Sequence, residues 1–139
     1  MKLGRRNLRM RRGVAAVETA VVAPLLVVAM LGMMEVGYAF MVRQTVTMAS
    51  REGARTAALP GGSMSDVNTS VDEAMAAAGL EGYTTTSNVD SLGSSDTEVW
   101  VTVSIPLNRV SFTGSLLGGG SFDINSTTTM RREGVDGAQ

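Results

Sequence analysis

The sequence predicts an α+β fold, in which a long N-terminal transmembrane helix extends into a small domain with one amphipathic helix on a three-stranded antiparallel sheet. Three observations carry this reading. Residues 14–42 form one apolar run, longer than the roughly 20 residues a helix needs to cross a bilayer. Residues 65–80 repeat apolar side chains at helical spacing, and Val99 to Ile105 alternates with the period of a half-buried strand.

The charges are placed asymmetrically. Lys2, Arg5, Arg6, Arg9, Arg11 and Arg12 precede Gly13, and no acid occurs before Glu18, so the first thirteen side chains carry +6 and the rest of the chain −7. Because this basic stretch abuts the apolar run, it reads as a cytoplasmic flank under the positive-inside rule rather than as a nucleic-acid-binding arm.

The run Val14 to Val42 is apolar all round, unlike an amphipathic surface helix. Its two charges, Glu18 and Glu35, are seventeen residues apart. At about 1.5 Å per residue that is about 26 Å, so each reaches toward one edge of a hydrocarbon core about 30 Å thick. Pro24 removes one backbone hydrogen bond and favours a kink, which membrane helices tolerate. Tyr38, Phe40 and Arg43 have the composition of an outer interfacial anchor.

Helical sequence continues to about Leu59, and Arg51 and Arg55, four apart with Glu52 beside them, form a solvated charged collar or a contact with a partner. Pro60 to Ser63 has turn composition. Val67, Val71, Met75 and Ala78 then share a helix face, with Ser65 as the expected cap and Gly79 as the stop. Strands are expected at Tyr83–Val89, at Val99–Ile105 ending at Pro106, and at Phe122–Met130, with Gly114–Ser121 joining the last two. The chain thus divides into a basic leader (1–13), a transmembrane helix (14–42), a helix extension (43–59), a linker (60–64), an α+β domain (65–133) and a flexible tail (134–139).

The composition argues against an enzyme. The chain has no histidine and no cysteine, hence no imidazole base, thiol nucleophile or disulfide. Gly118–Gly120 lacks the Lys and Ser or Thr of a phosphate loop. Met30, Met33, Met34 and Met41 belong to the apolar run, where they act as flexible filler rather than as copper ligands. No cofactor or metal is expected.

The chemically specific feature is the junction MRRGVAAVETA. A basic stretch meets Gly13, the apolar run opens at Val14, and Glu18 is the fifth residue counted from Val14. This is the spacing of a prepilin-peptidase site, where glycine resists helix continuation at the scissile bond. A carboxylate at the head of a membrane helix needs a cation, and a new amino terminus at Val14 offers one, in the same subunit or a neighbour. The plainer reading of the same residues is an uncut signal anchor.

The stretch from Arg11 to Ala58 closely resembles the N-terminal region of TadE-like proteins, the pseudopilins of the tight-adherence (Tad, or Flp) pilus system. Gly13, Glu18, Pro24, Glu35, Gly37 and the segment Ala49–Arg55, with Arg51, Glu52 and Arg55, fit that pattern in order and spacing. Thr128–Glu133 resembles the family's closing strand. Thr19 departs from it, since Flp-type sites usually carry an aromatic after the glutamate. The resemblance implies inner-membrane residence with a cytoplasmic N-terminus and a C-terminal domain exported to the periplasm or cell surface, and it implies cleavage after Gly13. It also implies a minor-pilin role in pilus assembly beside other pilin subunits and the Tad machinery, with Pro24, Glu35, Gly37, Arg51, Glu52 and Arg55 as helix-packing residues. The competing expectation is an uncleaved single-pass envelope or adhesion protein that displays its small domain.

Overall fold

A computed structural model describes residues 4–93, 96–111 and 123–134. The connection Gly114–Ser121, Phe122, and the tail after Gly134 lie outside the described residues. Helix α1 (Gly4–Ala58) is followed by α2 (Met64–Ala77), β1 (Thr84–Ser87), a 3-10 turn (Val89–Ser91), β2 (Glu98–Pro106), a single-turn α3 (Leu107–Val110) and β3 (Asp123–Arg131). Contacts divide the chain into two units between Val36 and Gly37.

The first unit is the N-terminal part of α1. Every residue from Gly13 to Met30 is exposed, including Val14, Val17, Val21, Leu25 and Leu26. The helix is assigned without a break through Pro24. Among the described residues one helix is long and apolar enough to cross a membrane, and it is this one. Thr19 donates its hydroxyl to the Ala15 carbonyl at 2.9 Å, so this polar group is satisfied inside its own helix.

The second unit is a sheet covered on one face. Its strand order is β1-β2-β3, antiparallel throughout, as the alternation predicts. Val99, Val101, Val103 and Ile105 of β2 are fully buried, while Trp100, Thr102 and Ser104 point the other way. The register sets Met130, Thr128, Ser126 and Ile124 beside those four on the inner face. On the outer face the Thr102 and Thr127 hydroxyls bond at 2.7 Å, an opposed pair between neighbouring strands. The first strand is shorter than the expected 83–89, but the ladder is continued by side chains: Asn88 Oδ1 accepts from the Trp100 N–H at 2.9 Å and Ser87 donates to the Trp100 carbonyl at 2.8 Å.

Helix α2 buries Val67, Val71 and Met75 of the predicted stripe, whose fourth member, Ala78, is half-buried at the cap just past the helix. Its cap is Ser63 rather than Ser65. Ser63 and Asp66 form a reciprocal capping box, in which the Asp66 carboxylate accepts from both the Ser63 backbone and hydroxyl and is thereby held below its usual range. Asp90 adds a carboxylate oxygen 3.1 Å from the Met64 N–H. The helix stops as expected at Gly79, which adopts φ +66 while Leu80 N–H returns to the Met75 carbonyl at 3.1 Å.

The sequence reading has α2 alone covering the sheet. The structure adds a second helix, because the C-terminal part of α1 presents Val42, Val46, Ala49, Ser50, Gly53, Ala54 and Ala57 as a buried stripe. Its residues are mostly small, and the approach is correspondingly close. A Cβ on Gly53 would stand 2.9 Å from Val71 Cγ2 and 3.2 Å from Val101 Cγ1. One turn earlier, buried Ser50 bonds Ser126 at 3.0 Å, Thr128 at 2.9 Å and the Thr47 carbonyl at 3.0 Å. After β3, the Glu133 N–H caps the Ala58 carbonyl at 2.9 Å, and Arg132 Nη1 holds the Gly93 and Asp96 carbonyls.

Gly53→Ala is expected to destabilise the second unit by about 1–3 kcal/mol, the usual cost of overpacking a close contact. Chemical denaturation of the detergent-held chain checks this, and Gly37→Ala, at an open position, is the matched control.

Candidate processing junction and anchor helix

Gly13, Val14, Val17 and Glu18 lie together on one exposed, mainly apolar turn of α1. Helical spacing puts Val14 and Glu18 four residues apart on the same face. Glu18 makes no ion pair among the described residues. The expected interruption of the helix at Gly13 is absent, since α1 runs through it and a Cβ there would meet nothing within 4 Å. One glycine in a helix costs only about 1 kcal/mol relative to alanine, and the alanines and valines after it carry the turn. What Gly13 retains is a locally weaker helix and an unhindered backbone.

The remaining anchor residues are spread along the same helix. Pro24 is exposed and Glu35 is half-buried. Gly37 is exposed, with open space where a side chain would be. Tyr38 packs against the core of the second unit whereas Phe40 stays exposed, so the aromatic pair is split between two tasks. Arg51, Glu52 and Arg55 are exposed, and Glu52 and Arg55 approach only to 4.0 Å, a solvated contact that contributes little.

No group of three His, Cys, Asp or Glu side chains among the described residues is placed to hold a metal ion. Among the described residues the tightest side-chain hydrogen bond joins Tyr83, just before β1, to Asp72 of α2, with the phenol donating at 2.5 Å. Partial burial, and then the bond to the Asp72 carboxylate, push the Tyr83 phenol up to about 12. The pair fastens the turn from α2 into β1, a structural task. Neither this pair nor the Ser50 contacts follow from a local period: Asp72 is 11 residues from Tyr83, and Ser126 and Thr128 are 76 and 78 from Ser50.

An exposed apolar helix followed by a small α+β unit is the arrangement of a protein with a candidate single-pass membrane anchor. The family model that matches is TadE-like protein, and over residues 13–55 the chain is similar to that family. Thr128–Glu133, which resembles the family's closing strand, lies outside the matched residues. Comparisons with curated proteins and with solved structures find no match.

Because the folded-state value of Tyr83 is raised, its bond stabilises the fold fully below pH about 10, and that contribution is lost as pH rises toward about 12. In ultraviolet titration the chain should show a phenolate step near 12 that Asp72→Asn moves to lower pH.

Proposed function

We propose that this protein is a TadE-like pseudopilin, a minor pilin acting in assembly of a Tad/Flp-type adhesive pilus and processed after Gly13 by a prepilin peptidase. The observation that carries the reading is the family match over residues 13–55, which begins at the glycine of the junction and spans the anchor. The chemistry agrees with it. Exposed apolar turns from Val14 onward need lipid or neighbouring helices, and the basic leader favours the cytoplasmic side. Glu18 would pair with the amino terminus released at Val14, on the same subunit or a neighbour. The domain beyond the membrane makes the chain much longer than major Flp pilins, which favours an assembly role over that of the main filament subunit. Its partners on this reading are the peptidase, other pilin subunits and the Tad machinery at the inner membrane.

One observation favours a second reading, an uncleaved anchor displaying its domain at the envelope. Thr19 stands where Flp-type sites have an aromatic.

The experiment that separates them is the intact mass of the chain from cells with and without the peptidase. A mature chain beginning at Val14 only where the peptidase is active is the expected result, and an intact N-terminus in both strains would sink the processing claim. Glu18→Ala is expected to leave membrane insertion unchanged while reducing pilus output several-fold, counted by shear preparation of surface filaments. Unchanged piliation would remove Glu18 from assembly.

A further inference from the structure

In the second unit one face of α1 is spent on the core, and the opposite face carries a second pattern. Gly37, Met41, Gln44, Met48, Arg51 and Arg55 follow one another at spacings of 4, 3, 4, 3 and 4 and are all exposed. Met48 is 63% exposed, although the core side of the same turns, at Val46 and Ala49, is fully buried. A membrane crossing that opens at Val14 uses about 20 residues, so Met48 lies beyond its far end and lipid does not account for it. The spacing is that of a seam read by another helix, not by a strand. In the sequence Met30 and Met34 continue it toward the anchor, and the open position at Gly37 leaves room for close backbone approach.

We infer that this seam docks a parallel, membrane-anchored helix of a different chain, one that carries carboxylates level with Arg51 and Arg55. The inference rests on the anchored-helix part of the proposed function and not on cleavage after Gly13. The partner is membrane-anchored because the apolar positions of the seam lie toward the anchor, and parallel is the direction of a chain inserted with the same topology. It is a different chain because of charge. A second copy in parallel would set Arg51 and Arg55 against their own equivalents at seam positions, and Glu52 is the only acid between Arg43 and Arg55. An acidic helix turns that repulsion into attraction and selects its partner by doing so.

The chain contains no cysteine, so Met48→Cys supplies a single thiol at an exposed position. The full chain is co-expressed, in a host without prepilin peptidase, with a designed single-span helix of the same orientation. That helix carries a leucine seam and one cysteine level with Met48. Two versions differ only in having Glu or Lys at the heights of Arg51 and Arg55. After oxidation of isolated membranes, the mixed disulfide with the Glu helix should exceed that with the Lys helix about fivefold, and should exceed the homodimer. The double variant Arg51→Glu, Arg55→Glu should reverse the preference, and a thiol at exposed Asn68 should cross-link to neither. A dominant homodimer would assign the seam to a second copy, and equal yields would show that charge is not read there. Either result overturns the inference. Because no peptidase is present, neither bears on cleavage.

Discussion

At residue 53 three elements converge on a space too small for a methyl group. Val71 and Val67 of α2 and Val101 of β2 stand 2.9, 3.4 and 3.2 Å from where a Cβ would be. That approach sets the depth at which α1 lies on the sheet, and the neighbouring contacts follow from it. Only at this depth does the Ser50 hydroxyl reach both Ser126 and Thr128, and the alanines at 49, 54 and 57 fill the interface without large side chains. The same seating brings the end of α1 to the chain leaving β3, where the Glu133 N–H closes the Ala58 carbonyl. A buried hydroxyl cluster is costly unless satisfied, and no buried side-chain polar atom among the described residues lacks a partner.

The helix that makes this contact also forms the anchor, and its sequence changes with its surroundings. Between Val14 and Met34 it is apolar on every side apart from Glu18 and Thr19. From Val42 onward it becomes two-faced, small and apolar toward the sheet and longer and polar away from it. Thr19, Thr45, Thr47 and Thr56 each return a hydroxyl to the carbonyl four residues back, which keeps these groups satisfied where water is scarce and costs little where it is not. The sheet is one-sided as well. Its outer face is largely threonine, serine and asparagine, suited to water, whereas on its inner face the β2 residues are fully buried and those of β3 half-buried.

Much of this was legible in the sequence because it depends on local period. The apolar run, the stripe of α2 and the alternation of β2 are each set by residues within a few positions of one another, and all three elements formed. The cap of α2 lies two residues before the expected Ser65, because Ser63 and Ser65 are equally good capping residues. What decided between them was Asp66, three residues after Ser63, closing the box, with Asp90 reinforcing it from a distant turn. The largest omission was the core-facing stripe of α1. Val42, Val46, Ala49, Gly53 and Ala57 recur at helical spacing, but the signal is faint because alanine and glycine scarcely register as apolar. Gly53 in particular reads locally as a weak point in a helix, and only the valines of α2 and β2 give it a reason. At the proposed junction, spacing singles out Gly13 and Glu18, whereas the backbone between them depends on helix propensity summed over the whole run.

That unbroken backbone bears on how the proposed processing step works. If the helix began only after the cut, the relation between the new amino terminus and Glu18 would have to be built by refolding a membrane segment. With α1 already helical through Gly13, Val14 and Glu18 share a face before any bond is broken. Cleavage then changes charge rather than shape. It removes the leader cations at Arg11 and Arg12 and puts a single ammonium group one turn from the carboxylate, at the helix end where an acid is favoured. A carboxylate entering an apolar environment is costly in proportion to how poorly it is neutralised, so a fixed counter-ion one turn away lowers the cost of moving the anchor among other apolar helices. On this argument the glycine supplies a bond that opens easily and the glutamate supplies the need for what that bond releases.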